Sequence, residues 1–487
     1  MKELTDLLKS IKHSILSGSS APVIDALQFD SRRCDSGSLF VAVKGVSVDG
    51  HDYLKSAHAN GCRVFVVDRD VSFSESDICL VKVDNSSEAL ALLADSFYDS
   101  PSKEIKLVGI TGTNGKTTCA TLMHDLFTSR GYRSGLLSTV VNKIGNSEVK
   151  ATHTTPEPIA LNALLREMIN AGCAYCFMEV SSHAIVQNRV YGLNFIGGVF
   201  TNISHDHLDY HETFASYISA KKHFFDCLSK EAFALVNIDD KNGKVMLQNT
   251  KAKKLHYALR SPADFKAKVI ENELSGLHLD LDGIEFHSRL IGRFNAYNLL
   301  TVYAVSILLG EDKIETLSAL SNLQSVEGRF QSLKVMKGPT VIVDYAHTPD
   351  ALENVLETII AIKKTTSRIL TVVGCGGDRD KEKRPIMALL ASEMSDELIL
   401  TSDNPRSEDP GLILEDMQEG LSKVQKDAAF TINDRREAIK LAIKLAKSDD
   451  VVLIAGKGHE KYQEISGVRY DFDDFQIASD FTNQMNN

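Results

Sequence analysis

The chain has 487 residues, 43% apolar and 24% charged, with a formal net charge of −11. That length exceeds what one hydrophobic core serves and predicts two to four domains of ordinary globular composition. The negative balance argues against a nucleic-acid partner but leaves small anions open, and no apolar run is long enough to span a bilayer.

In chain order, residues 1–9 mix charges into an apolar pattern and read as an amphipathic helix, not a secretory leader. Residues 38–43 and 63–67 read as apolar strands of a small α/β unit covering residues 1–103. The polar stretch 98–103 ends it. Eight cysteines are scattered without metal-ligand spacing, and even the nearest pair, Cys173 and Cys176, sits in an apolar stretch. Buried free thiols in a reducing cytoplasm are the expectation.

Residues 106–111 read as a buried strand, and from Thr117 the apolar residues Ala120, Met123, Leu126 and Phe127 recur at helical spacing, with Gly131 as the stop. Between them lie Gly112, Thr113, Asn114, Gly115, Lys116, Thr117 and Thr118. Glycine lets backbone N–H groups approach phosphate, and a helix N-terminus adds partial positive charge. Lys116 is placed to reach the β/γ-phosphates and the Thr117 hydroxyl to sit on Mg²⁺. Strict Walker spacing wants a glycine where Ile110 stands; Gly109 is one place off.

Residues 104–330 form the middle unit, with further buried strands at 174–180 and 197–202. Glu179, at a strand end, can coordinate Mg²⁺ beside a phosphate loop, or simply be a half-exposed carboxylate. Residues 201–211 carry His205, Asp206, His207, Asp209 and His211. His-x-His with Asp also suits zinc, but no cysteine stands nearby and an ATP site needs magnesium, so a hard-cation role for one histidine is favoured. His205 and His211 can equally cap or hydrogen-bond. Lys221 reads by default as a solvated helix lysine.

Residues 331–487 alternate strand and helix: strands at 340–343, 368–373, 397–401 and 451–455, helices at 349–364 and 437–447. Such alternation predicts a doubly wound parallel sheet. Each of the four strands runs into a polar loop, at 344–349, 374–381, 402–406 and 456–460. Ligands in open α/β sheets bind at the carboxyl ends of strands, so this unit is expected to hold one.

Residues 112–118, Glu179-Val-Ser-Ser-His183, Asp206-His-Leu-Asp209, Gly292-Arg-Phe-Asn295 with Asn298, Glu327-Gly-Arg329, and the loops 344–349, 374–381 and 456–460 together resemble the Mur ligases of peptidoglycan synthesis. The likeness runs in order through nearly the whole chain and is strongest to the tripeptide-forming branch. It implies three domains: an N-terminal α/β domain for the UDP-sugar, a central P-loop ATPase with a parallel sheet, and a Rossmann-like C-terminal domain for the incoming amino acid. It also implies ATP-dependent amide formation through an acyl phosphate, Mg²⁺, and a cytoplasmic protein with small-molecule substrates; a monomer is expected.

By the same resemblance Glu179 and His207 look like Mg²⁺ ligands, and Lys221 matches a lysine that is carbamylated in the family. A carbamate offers a cation carboxylate-like oxygens where an ammonium repels it. Asn298, Arg329 and Asp344 look like groups around the nucleotide, near adenine for Asn298 and ribose for Asp344. Ser31, Thr154, Thr155, Ser181, Gln187 and Arg189 match positions holding the UDP-muramoyl dipeptide, although His153 stands where some relatives carry asparagine. Asp403, Asn404, Pro405 and Arg406 are similar to the signature for meso-2,6-diaminopimelate, whose second carboxylate suits an arginine fork. Arg379, Gly456 and Glu460 match the remaining contacts, with Glu460 for the distal ammonium. The alternatives are a lysine-adding ligase of the same family and a folylpolyglutamate synthase; residues 403–406 and the Thr154–Thr155 pair point away from the latter. A nucleotide-dependent switch without chemistry is a third, opposed by the joint presence of Lys116, Thr117, Glu179, His207 and Lys221.

Overall fold

The computed structural model describes residues 1–18, 21–45, 48–73, 75–204, 208–335 and 338–485. The chain divides into two compact units, residues 1–265 with 304–310 and residues 266–303 with 311–487.

The first unit contains two sheets. In the N-terminal one, strands Ala26–Gln28, Ser38–Val41, Val64–Val67 and Cys79–Val83 run parallel, and His13–Ser17 joins antiparallel beside Cys79–Val83. Ser38–Val41 and Val64–Val67 are buried on both faces, which is why they are unbroken apolar runs and not alternating ones. Leu39, Val41, Val64 and Val66 pack with Leu90 and Leu93 of helix Ser86–Phe97, while Phe40 and Phe65 pack on the opposite face with Leu54 and Ala57. The expected N-terminal helix is only the turn Leu4–Leu7, which buries both leucines.

The larger sheet orders six parallel strands as Ser134–Leu137, Tyr175–Glu179, Lys106–Thr111, Phe195–Phe200, Phe233–Asn237 and Lys253–Ala258. An antiparallel hairpin, Val141–Ile144 with Ser147–Lys150, extends it beyond Ser134–Leu137. Because Lys106–Thr111 lies between Tyr175–Glu179 and Phe195–Phe200, Ile110 pairs with Glu179 and Thr111 with Phe200. Three strand ends therefore open side by side. Gly109 belongs to the strand and not the loop: a Cβ there would meet Phe224 at 2.7 Å and Phe195 and Val180 at 2.9 Å. The glycine one place off the Walker spacing lets helix Phe214–Asp226 pack on the sheet.

In the second unit, strands Phe265–Glu273, Gly276–Leu281 and Ile284–Ser288 make an antiparallel meander. Its six-stranded sheet is ordered Gln331–Lys334, Thr340–Asp344, Val451–Ala455, Ile369–Val373, Glu397–Thr401 and Phe430–Ile432, parallel except for the first strand. The last parallel strand in sequence, Val451–Ala455, is thus inserted between Thr340–Asp344 and Ile369–Val373. That brings the loop after it between theirs. Separate apolar clusters cover the two faces, one around Leu352, Leu356, Met387 and Ile413, the other around Ile439, Ile443 and Ile477. All eight cysteines are free and seven are buried; Cys227 is exposed, departing from the expectation. Among the described residues no helix is long and apolar enough to cross a membrane.

Candidate active site

The loop after Lys106–Thr111 is built by backbone conformation. Gly112 has φ +149° and Gly115 φ +87°, and a Cβ on Gly112 would fall 1.9 Å from Thr201 Oγ1. The neighbouring strand end holds the loop in place: Thr113 N donates to Asn202 O at 2.8 Å, Asn114 N to Asn202 Oδ1 at 3.0 Å, and Thr201 Oγ1 to Asn114 O at 2.6 Å. Helix Lys116–Ser129 starts immediately after Gly115, so its first N–H groups lie at the loop. Two ammonium groups meet on one carbonyl. Lys116 Nζ donates to Gly112 O at 2.9 Å and Thr113 O at 2.8 Å, and Lys221 Nζ donates to Gly112 O at 2.9 Å. Paired positive charge with helix N-terminal amides makes an anion site.

Lys221 is therefore not the solvated helix lysine of the default reading. It is 1% exposed and its ammonium stands 4.6 Å from the Tyr217 ring centroid. Nor is Glu179 a half-exposed strand end. It is fully buried, and its carboxylate accepts the Thr139 N–H at 2.8 Å and the Thr139 hydroxyl at 3.2 Å. His211 Nε2 lies 2.9 Å from Ser182 Oγ, in keeping with a hydrogen-bonding role. His205, Asp206 and His207 lie outside the described residues, as does the side chain of Asp209. Among the described residues no three His, Cys, Asp or Glu side chains gather as a metal site. A buried carboxylate whose partners are both neutral, together with the nearly buried Thr117 hydroxyl, is a donor set that fits a hard cation.

Beside Glu179 the expected dipeptide residues form one network. Thr139 Oγ1 lies 3.1 Å from Thr154 Oγ1, Thr155 Oγ1 donates to Glu179 O at 2.8 Å, and Ser181 N donates to Thr155 Oγ1 at 3.1 Å. Ser181 also caps helix Ser182–Val186 by accepting from Ala184 N. Arg189 Nη1 donates to Thr155 O at 2.9 Å, its Nη2 donates to Gln187 Oε1 at 2.6 Å, and it pairs with Glu157 at 2.8 Å. Burial pulls the Arg189 pKa down and Glu157 opposes this. Ser31 stands apart from this network: it opens a short 3₁₀ turn in the N-terminal sheet region, where its carbonyl accepts from Asn60 Nδ2 at 2.9 Å. His153 is exposed, its ring beside the Thr152 hydroxyl at 3.1 Å.

The second unit holds the other residues. Asn298 Nδ2 donates to Asn295 Oδ1 at 2.9 Å, and Asn295 Nδ2 to Ile291 O at 2.8 Å. Asp344 ends its strand with a carboxylate that accepts Phe330 N at 2.6 Å and Ala346 N at 2.8 Å. Burial pushes its pKa up while Arg329 draws it down. The Arg329 guanidinium lies 4.8 Å from the Tyr345 ring centroid.

The four expected loops meet at one sheet edge. Arg406, at φ +51°, donates from Nη1 to Gly377 O at 2.6 Å, and Gly377 N donates to Asn404 O at 2.9 Å. Asn404 Nδ2 donates to Glu460 Oε2 at 2.7 Å. A Cβ on Gly377 would strike Pro405 O at 2.0 Å, and one on Gly456 would lie 2.7 Å from Asp403 Oδ2, so both glycines permit close approach. Arg379 is not brought into this cluster; it is exposed and donates to its neighbour's carbonyl, Asp378 O, at 3.2 Å. Sequence reasoning missed three contributors. Thr139 holds Glu179, Lys457 is fully buried against Asn404 and Glu460, and the Arg435–Asp474 pair, fully buried at 2.7 Å, donates from Arg435 Nη2 to Ala455 O. The charged residue inside Gly456-Lys-Gly-His-Glu was the available signal for Lys457.

The chain is similar to known proteins over nearly its whole length. Three family descriptions match: "Mur ligase family, catalytic domain" over residues 23–98, "Mur ligase middle domain" over 110–306 and "Mur ligase, glutamate ligase domain" over 328–458. A curated relative from Cytophaga hutchinsonii, named UDP-N-acetylmuramoyl-L-alanyl-D-glutamate--2,6-diaminopimelate ligase, is 53% identical over 98% of both chains. One of the same name from Parabacteroides distasonis is 52% identical over 97% of both. A solved structure bearing that name superposes with a TM-score of 0.71 at 31% identity, covering 100% of this chain and 99% of the other.

Proposed function

The chain belongs to the Mur ligase family, and from that premise we propose that it is the ATP-dependent ligase joining meso-2,6-diaminopimelate to UDP-N-acetylmuramoyl-L-alanyl-D-glutamate. The observation that carries the choice of amino acid is the linked arrangement of Arg406, Asn404 and Glu460. A guanidinium suits the distal carboxylate and a carboxylate suits the distal ammonium, so the loop cluster matches a diamino diacid better than lysine, which lacks that carboxylate.

The D-glutamyl carboxylate attacks the γ-phosphorus of ATP, the bond to ADP breaks, and an acyl phosphate forms. The free amine of diaminopimelate then attacks the acyl carbon. The tetrahedral intermediate loses phosphate and a proton, leaving the amide. Phosphate departs far more readily than a carboxylate oxygen, which is why ATP is consumed. Gly112, Thr113, Asn114, Gly115, Lys116, Thr117 and Thr118 cradle the phosphates, and Lys116 exchanges its loop carbonyls for phosphoryl oxygens. Thr154, Thr155, Ser181, Gln187 and Arg189 orient the dipeptide, supported by their shared network; Asn298, Arg329 and Asp344 are assigned to the nucleoside. Mg²⁺, held by Thr117, Glu179, His207 and the carbamate of Lys221, would neutralise charge on the transferred phosphoryl group. The contact Lys221 makes here belongs to its ammonium form; carbamylation removes the positive charge, leaves one N–H on Nζ and adds two acceptor oxygens.

The assigned domains are residues 1–103 for the UDP-sugar, 104–330 for ATP and 331–487 for the amino acid. A cytoplasmic location, supported by eight free thiols, and a monomeric state complete the reading. Phosphate release from ATP tests the reaction: it should need the UDP-muramoyl dipeptide and diaminopimelate together. Release with a folate and glutamate instead would overturn it, as would ATP hydrolysis without a ligation product.

A further inference from the structure

Lys457 follows Gly456 at the end of strand Val451–Ala455, and its side chain is 0% exposed. A buried ammonium persists only when paired and hydrogen-bonded. Here Nζ donates to Asn404 Oδ1 at 2.9 Å and to Glu460 Oε2 at 3.2 Å. Asn404 Oδ1 also accepts Glu464 N at 2.9 Å, so two donors fix the oxygen end of that amide. The nitrogen end must then face Glu460, to which Nδ2 donates at 2.7 Å. Both of these bonds to Glu460 fall on Oε2, and neither falls on Oε1.

We propose that Lys457 is a positioning residue for amino-acid selection: it holds Asn404 and Glu460 in the arrangement in which Glu460 offers an ionised carboxylate to the distal ammonium of the incoming diamino acid. This deepens the function proposed above and rests on it. The charged and titratable groups bearing on Glu460 are Lys457, Asp403, Tyr345, Tyr462 and Arg435. Burial pushes the Glu460 pKa up and Asp403 adds to that, while Lys457 and the Asn404 amide draw it down. Without Lys457 the carboxyl therefore titrates higher, and its neutral form loses the attraction for an ammonium. The lysine contributes no charge to a ligand directly. It acts through the glutamate.

The test uses the full chain as wild type, Lys457→Met, Glu460→Gln and the double variant, with KM and kcat measured for each substrate across pH. Lys457→Met should raise KM for diaminopimelate severalfold near neutrality, because the buried Glu460 carboxyl loses the cation that favours its charged form. That excess should shrink as pH rises, with KM for ATP and for the dipeptide unchanged. In the Glu460→Gln background Lys457→Met should add little, because the two act as a unit. A rise in KM equal at every pH, a matching loss for ATP, or effects that simply multiply would overturn the inference. Should Lys457→Met not yield folded protein, Lys457→Gln keeps a donor for Asn404 without the charge and must show the same pH-dependent rise; a flat profile there overturns the inference too. A wild type that turns over no diaminopimelate would overturn the parent reading and this inference with it.

Discussion

The proposed phosphate loop of the first unit and the proposed amino-acid loops of the second would do the same job, holding a charged ligand, by opposite means. The first is built mainly from backbone: glycine conformations, a helix start and amides tied down by a neighbouring strand end. The second is built from side chains: Asn404, Glu460 and Lys457 bond to one another, and Arg406 is held by the Gly377 carbonyl. Phosphate presents the same oxygens in every nucleotide, so a general backbone cradle suffices. An amino acid must be told from its relatives, and selectivity of that kind needs placed charges whose mispairing is costly.

That contrast is sharpened most by Lys221, the side chain that the backbone loop depends on. Lys221→Ala should abolish nearly all turnover, with partial recovery on adding short carboxylic acids that supply the missing carbamate oxygens; wild-type-like rates would remove the lysine from the mechanism. Arg406→Ala should weaken diaminopimelate use by roughly 2–5 kcal/mol, as expected for a buried charge left unpaired, while phosphate-loop parameters hold. Unchanged kcat/KM for diaminopimelate would make Arg406 a surface residue. Gly112→Ala inverts the pattern. Backbone strain of about 1–3 kcal/mol and the collision with Thr201 should fall on ATP use first, read as kcat/KM for ATP. The smallest effect concerns stability. Burial holds His459 down to about 3 and His124 down to about 4, whereas both titrate near 6.5 when unfolded. Between those values the unfolded chain binds more protons, so stability is complete above about pH 6.5 and falls as pH drops towards 4. The Tm should follow, with a shallower fall in His459→Gln.

Local features were legible in the sequence because they are encoded within a few residues. The glycine loop, the strands at Glu397–Thr401 and Val451–Ala455, and the capped helix Pro349–Ile362 each carry their own signal. What escaped was fixed by partners distant in sequence. Lys221 meets Gly112 across 109 positions, Lys457 meets Asn404 across 53, and Arg435 meets Asp474 across 39. Lys221 shares the buried helix face of Tyr217, Ala220, Phe224 and Phe225, but only the assembled sheet decides that its ammonium ends on the Gly112 carbonyl instead of reaching solvent. Gly109 shows the converse: a glycine that looked like a displaced loop residue is explained by three side chains packing over it.

The most direct test of the central claim is a competition. The enzyme would be given ATP, Mg²⁺ and UDP-N-acetylmuramoyl-L-alanyl-D-glutamate with equal amounts of meso-diaminopimelate and L-lysine, and the product masses recorded. The account predicts a product heavier by one diaminopimelate residue, with the lysine adduct a trace. A dominant lysine adduct would contradict it, leaving the ligase chemistry in place and removing Arg406 and Glu460 as the selectors.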